Sequence, residues 1–465
     1  MDADLEVQPH PDALAPMHYR IMCGLLLLWW LAFLYPVLTM SDVDVGLMDA
    51  EAATNQGNLF NQAVIISFAG MGAYHLRRAR GVFQHKAAVA MAVLAGLYCL
   101  WSGASLLWSE DANLTVRRLL SFVLLLVGSF GLGAGFYAYT KDGIRTLARH
   151  IVFGALLCVV MLIGLRLWNQ SLAELLDPEF SLKGSTRISY YAFPIGYAIT
   201  ALLAIWQGRP LAQLGTTGLL FVVMIVLKGR TMVADALATA LLVGSRITEF
   251  RLIRGALLAA GAALTALLAD LVTGGAVFIN FLIEGYDQIG NWIPWLTLGE
   301  GLRNITSLSG RLPLWEMVYP YIQSRPWLGH GFGAFWNPTR FNEAYRAAGW
   351  RAVTSHNGFL DELLATGIVG LTLFLACWGT GIISAYRCGQ RTQSPFAFMV
   401  SGWLLLYLLF NCLESIFQMF FQLPTFLSLI AIFTLLHQDA GSGIGWNSEE
   451  QHIAIEHDLY EEALS

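Results

Sequence analysis

Long apolar stretches separated by short polar joints recur from one end of the chain to the other. Twelve are long enough to read as helices, at roughly 21–40, 60–76, 87–107, 119–140, 150–168, 188–206, 211–227, 231–244, 252–273, 358–386, 396–413 and 416–436. Most approach the roughly 20 residues that carry a helix across a bilayer. The eighth is the shortest, and its presence sets the topology of everything after it. The pattern predicts an all-α polytopic membrane protein with about 12 transmembrane helices and no internal repeat. It divides the chain into a tail at 1–20, a bundle of about nine spans at 21–283, one large polar loop at 284–357, three last spans at 358–436 and an acidic tail at 437–465.

Composition agrees. Of 465 residues, 56% are apolar and only 13% charged, with mean hydropathy +0.57, too few charges to cover a soluble domain of this length. The net charge of −5 with no basic domain standing apart gives no reason to expect nucleic acid. The six cysteines show no CxxC or metal spacing and read as small core residues beside apolar runs. The opening "MDADLEVQPHPDALAPMHYR" is polar and acidic, unlike a signal peptide. With the N-terminus inside, the short inner loops hold thirteen Lys and Arg against six in the short outer ones, and loop 41–59 has four acids and no base. The positive-inside rule then places both termini in the cytoplasm and the loop 284–357 outside, which in a bacterium means the periplasm.

That loop interleaves aromatic residues (Trp315, Trp327 and Trp336 among them) with arginines such as Arg303, Arg311, Arg325 and Arg340. Flat aromatic faces suit sugar rings, and guanidinium forks suit phosphate oxygens. The plainer reading is an amphipathic loop lying at the membrane interface. Further arginines stand at predicted outer helix ends, against the charge rule: Arg117 and Arg118, Arg187, and Arg230. Such a cluster could hold a diphosphate at the membrane surface, or the side chains could simply snorkel to headgroups.

The segment "TSHNGFLDELLATGIVGLTLFL" (354–375) puts His356 at the lip of an apolar helix with Ser355 as candidate N-cap. The positive end of the helix favours neutral imidazole, which can take a proton from a sugar hydroxyl; the plainer reading is a capping or interfacial histidine. Asp361 and Glu362 follow and are expected to face the bundle. His330, between glycines in "LGHGFG", is expected to be structural or substrate-contacting. Asp235 and Asp270 are ionisable residues within spans and functional candidates for that reason. There is no GxxxxGK[ST], HExxH or paired-cysteine site, so no ATPase is supported, and no metal or cofactor is implied.

These residues resemble the bacterial O-antigen ligase and polysaccharide polymerase family. The match lies in "SLLWSEDANLTVRRLL" (105–120), in "SGRLPLWEMVYPYIQSRPWLGHGFGAFW" (309–336) with its Gly-Arg, Trp and Arg-Pro-x-Leu-Gly-x-Gly, and in the His-Asn opening of the helix at 358; "LKGRTMVADAL" is a looser likeness. Near 183–195 the chain reads "KGSTRISYYAF" where the family pattern suggests a Gly-x-x-x-Asn-type opening. The resemblance implies a fold like the GT-C-type lipid-linked glycan transferases and a metal-independent glycosyltransferase. The donor would be an undecaprenyl-diphosphate-linked glycan, bound in a helical cavity under a periplasmic loop in the inner membrane. It implies His356 as the base, and Arg311 and Arg230, with Arg117, Arg118 and Arg187, as donor-binding residues. Trp315, Trp327 and Trp336 would align the glycan.

The loop signature is most like that of exopolysaccharide polymerases, which join one lipid-linked repeat to another and can work with a separate chain-length regulator. The alternative is a ligase that moves the finished chain to lipid A-core. A third reading is a transporter of the same lipid, favoured by span number and intramembrane acids. The lack of repeated halves and the gathering of polar residues in one outer loop speak against it.

Overall fold

A computed structural model of the chain describes residues 15–39, 59–76, 85–139, 142–169, 188–207, 209–226, 311–349, 352–412, 414–415, 417 and 423–442. Among them there are helices, turns and no strand. The helices are α1 (Ala15–Thr39), α2 (Leu59–Leu76), α3 (Lys86–Ala104, extended by a 3₁₀ turn Ser105–Leu107), α4 (Ala112–Tyr139), α5 (Gly143–Asn169), α6 (Ile188–Ile205), α7 (Pro210–Val226), α8 (Arg311–Ser324), α9 (Pro338–Ala348), α10 (Gly358–Thr392), α11 (Pro395–Phe410) and α12 (Leu423–Ser442). Ten coincide with predicted spans. The spans predicted at 231–244 and 252–273, with Arg230, Asp235 and Asp270, lie outside the described residues, as does Arg187.

Four helices are long and apolar enough to cross a membrane, at Lys86–Leu107, Ala112–Ala138, Gly143–Met161 and Gly358–Thr392, and three shorter apolar ones accompany them. The chain is a multi-pass helical membrane protein. Several expected edges move. α4 begins at Ala112, not 119, so Arg117 and Arg118 stand in its second turn instead of in a loop. α10 runs on to Thr392 but is broken at Gly367 (φ 67°, ψ −169°). α12 is described from Leu423.

Helix pairs approach where side chains are small. α2 packs most extensively on α4, and a Cβ at Gly131 would sit 2.0 Å from the Gly72 carbonyl oxygen. Backbone contact this close gives dispersion attraction that lipid cannot match. Elsewhere aromatics fill the core. Trp29 stacks on Phe426 at 4.3 Å, and the buried Trp403 gives its indole N–H to the Tyr197 carbonyl and Thr200 hydroxyl, so no polar atom of the pair is left facing hydrocarbon. Cys158, Cys377 and Cys388 are buried as expected, whereas Cys412, in the turn after α11, is exposed.

The packing sorts the polar residues to two ends. At one, the end of α3, the start of α4, α8, α9, the start of α10 and the end of α11 meet. At the other, Asp439 of α12 bonds His85 before α3 and Arg391 near the end of α10, and Arg145 of α5 lies over the ring of Phe396 at the start of α11.

Candidate functional site

The break in α10 begins the site. Interrupting a helix at Gly367 deprives the carbonyls of the preceding turn of their usual amide partners. The segment 326–331 supplies them: His330 N–H donates to Leu364 O (2.7 Å) and Gly331 N–H to Ala365 O (3.1 Å), while Ile368 N–H past the break donates to Pro326 O (2.8 Å). The Trp101 indole takes the Thr366 carbonyl (2.8 Å). Contact this close explains the glycines of "LGHGFG". Gly329, Gly331 and Gly333 all have positive φ, and a Cβ on them would meet Ala365, Ser109 and Arg118 respectively at 2.4–2.6 Å. The first two turns of α10 are thus a separate short helix, held by the loop that covers it.

His330 is part of that lock. Its Nδ1 lies 2.8 Å from Glu110 Oε1 and its Nε2 3.0 Å from the Tyr321 carbonyl, and it is buried. Of the two readings the sequence left open, the structural one holds. Arg340 lies over the Tyr321 ring at 3.9 Å and bonds Glu343, so this loop arginine is likewise engaged within the loop.

The N-terminus of the short helix carries the segment Ser355–His356–Asn357. The N-cap is Asn357, not Ser355: its Oδ1 accepts from the Phe359 and Leu360 amides (3.0 and 3.1 Å). Ser355 is buried instead, its N–H donating to the Asp361 carboxylate (3.0 Å) and its carbonyl accepting from the Trp315 indole (2.8 Å). Asp361 also accepts from the Trp336 indole (2.8 Å). Glu362 is fully buried and accepts from the Tyr98 hydroxyl (2.8 Å). Glu362 faces the bundle, as expected, whereas Asp361 is turned to the covering loop, whose Ser355 and Trp336 it holds.

Pinned on both sides, His356 adopts φ 52°. A left-handed non-glycine residue costs on the order of 1–3 kcal/mol and persists where its surroundings over-determine it. The strain turns the imidazole to Glu414: His356 Nδ1 lies 2.9 Å from Glu414 Oε2, and Arg311 Nη2 lies 2.7 Å from Oε1. The three side chains are 16%, 6% and 17% exposed for His356, Glu414 and Arg311. Burial pushes the Glu414 carboxyl upward in pKa, but the charges and hydrogen bonds of His356 and Arg311 outweigh it and hold it below the ordinary value. Glu414 fell in the two-residue gap between the predicted spans 396–413 and 416–436. The only signal for it was an acid at a helix end on the side expected for His356.

Arg311 and His356 are therefore brought together, as the resemblance implied. Arg118 is nearby but spent in part on structure, donating to the Gly333 carbonyl; Arg117 is exposed. The three tryptophans separate. Trp315 is half-buried beside His356, Trp327 is largely exposed at the helix break, and Trp336 is buried in the loop core with its N–H on Asp361. That burial leaves Trp336 to order the loop, while Trp315 and Trp327 keep part of their ring surface accessible.

Residues 184–375 match the profile of the O-antigen ligase family, a range that includes Arg311 and His356 and stops short of Glu414. The chain is also similar to the exopolysaccharide production protein ExoQ of Rhizobium meliloti (strain 1021), 25% identical over 291 residues, which cover 59% of this chain and 61% of that protein. The chain thus matches about three fifths of the length of that curated relative.

Proposed function

We propose that this O-antigen ligase/polymerase-like membrane protein is a glycosyltransferase of the bacterial inner membrane that builds polysaccharide from undecaprenyl-diphosphate-linked oligosaccharide at the periplasmic face. In this reading the chain has twelve spans in a GT-C-like arrangement, with 284–357 as the periplasmic loop and both tails (1–20 and 437–465) in the cytoplasm. The observation that carries it is the meeting of a strained histidine and a part-buried arginine under an aromatic loop, at the end of the bundle where that loop docks.

His356 Nε2 takes the proton of an acceptor hydroxyl as its oxygen bonds the anomeric carbon of the donor. The bond from that carbon to the diphosphate oxygen breaks, and undecaprenyl diphosphate leaves with the electron pair. Arg311 faces the charge that develops there, aided by Arg230 and by Arg117 or Arg118, with Arg187 further out on the donor side. The proton on His356 then passes to solvent. The leaving group is already activated, so neither a nucleotide sugar nor a metal ion takes part.

The likeness to a protein named for exopolysaccharide production, together with the loop signature, favours a polymerase joining repeats, with a chain-length regulator as a further partner. The alternative is a ligase with lipid A-core as acceptor. Purified protein in liposomes with a lipid-linked repeat unit, free of metal and nucleotide, is expected to release undecaprenyl diphosphate and build a glycan ladder, and His356→Ala is not. Near-normal turnover by His356→Ala removes the base assignment. In a deletion strain, single repeats without polymer mean polymerase, and polymer stranded on undecaprenyl means ligase. Transport of intact lipid-linked glycan with no release of undecaprenyl diphosphate would displace both.

A further inference from the structure

We infer that Glu414 is a positioning residue through which the donor diphosphate and the catalytic histidine sense each other, an inference that rests on the transferase reading above. The carboxylate is bidentate across two partners of different purpose, Oε2 on His356 Nδ1 and Oε1 on Arg311 Nη2. Its backbone is fixed as well: the Gly358 amide is shared between the carbonyls of Asn411 (2.8 Å) and Glu414 (3.0 Å), so the turn carrying Glu414 is tied to the start of the helix that follows His356.

Two consequences follow from chemistry alone. A carboxylate on Nδ1 fixes the tautomer with the proton there, which leaves the lone pair of the neutral ring on Nε2 for the acceptor hydroxyl. Second, Glu414 and a diphosphate are both anionic partners of Arg311 and compete for its guanidinium. When the donor binds, Arg311 turns part of its hydrogen bonding to the diphosphate, and the negative charge of Glu414 is left increasingly to His356. That is the moment the imidazole accepts the hydroxyl proton and becomes a cation. The bond made to the acceptor oxygen and the bond broken to the diphosphate are then assisted by one charge moving its weight between two neighbours. By linkage, removing the charge of Glu414 strengthens diphosphate binding as it weakens the base.

The test uses the full-length protein in detergent and in liposomes. Undecaprenyl diphosphate is the binding probe, and lipid-linked repeat isolated from a deletion strain is the substrate. Glu414→Gln is expected to bind undecaprenyl diphosphate at least about fivefold more tightly than wild type, while kcat falls roughly 10²-fold. Glu414→Asp, which keeps the charge, recovers part of the kcat. Added to His356→Ala, Glu414→Gln costs nothing further in kcat, because its effect runs through that ring. A merely structural carboxylate would weaken binding and turnover together in every variant.

Unchanged kcat in Glu414→Gln, or weaker probe binding, overturns the inference while leaving the transferase reading intact. A wild type that binds the probe but transfers nothing to either class of acceptor removes the reading and the inference with it. Should Glu414→Gln not purify as a monodisperse species, the comparison is made with Glu414→Asp. A kcat for that variant equal to wild type, or a loss that adds to that of His356→Ala, overturns the inference equally.

Discussion

Each end of the bundle sets a carboxylate between a histidine and an arginine, and the two ends use the group differently. At one, Glu414 joins His356 and Arg311. At the other, Asp439 joins His85 (2.9 Å) and Arg391 and accepts from the Cys388 thiol (3.6 Å). Both carboxylate side chains are 6% exposed. Around Asp439 each partner sits at a regular helix end: His85 is the extended N-cap of α3, and Arg391 is 63% exposed in the last turn of α10. That arrangement staples α3, α10 and α12 with its three residues in ordinary backbone; the left-handed residue at this end, Gln393 (φ 54°), is the C-cap of α10 and not a member of the group. Around Glu414 the histidine is held at positive φ, the arginine comes from the covering loop, and both side chains are mostly buried. Residue type alone does not separate a staple from a site; backbone strain and the origin of the partners do.

The sharpest way to break the comparison is to remove each histidine. His356→Ala is expected to lower turnover by about 10²–10⁴-fold, and His85→Ala to leave it within about twofold, both measured as undecaprenyl diphosphate released in liposomes. Equal losses would mean that the two ends are alike in kind. Next come the arginines. Losing one charge-assisted contact worth about 1.5–3 kcal/mol makes Arg311→Ala slower by roughly one to two decades. Arg391→Ala, an exposed ion-pair partner, should shift stability by no more than about 1 kcal/mol and leave turnover unchanged.

A smaller effect is expected in stability at the helix break. Gly367→Ala forces a Cβ to within 2.3 Å of the Trp327 backbone at a positive φ, and should destabilise by about 1–3 kcal/mol, read as a lower melting temperature in detergent. Gly96→Ala in α3, where nothing lies within 4 Å, is the control and should not lower it. The smallest effect is in pH. The Glu414 carboxyl is held below its ordinary value of 4.5, so its contribution to stability is complete above that value and is lost as pH falls through the lower, folded one. The melting-temperature gap between wild type and Glu414→Gln should therefore stay constant from about pH 8 to pH 5 and close only below about 4.5. A gap that closes between pH 7 and 5 would show that Arg311 and His356 do not hold the carboxylate.

Much of this was legible beforehand because it is local. An apolar run near the bilayer thickness makes a helix wherever it occurs, so α2, α6 and α7 start and stop within a residue of their expected limits. His356 was visible because a histidine at the lip of an apolar helix has no structural need there. The start of α10 stayed at 358 while its cap changed for a local polar reason: Asn357 takes the cap from Ser355 because its carboxamide reaches two amides, whereas Ser355 is drawn inward by Asp361. Cys412 is exposed because it sits in a turn after α11, where an adjoining apolar run says nothing about which way a side chain faces. Trp336 could not be told from Trp327 by composition, since both are loop tryptophans and only packing buries one.

By itself the sequence determined that this protein is a helical bundle for a membrane, that its one large polar loop interleaves aromatics with arginines, and that His356 stands where the two meet. Tertiary structure decided what His356 is joined to. Glu414 lies 58 residues from it and 103 from Arg311 along the chain, and no periodicity or motif spans such distances. Only the antiparallel return of α11 beside α10, and the docking of the loop glycines on a helix broken at Gly367, put one carboxylate between a strained histidine and an arginine from another element. The physical reason is range: hydrophobic patterning acts within a segment, whereas a buried ion pair exists only once separate segments have been packed together and the water between them removed.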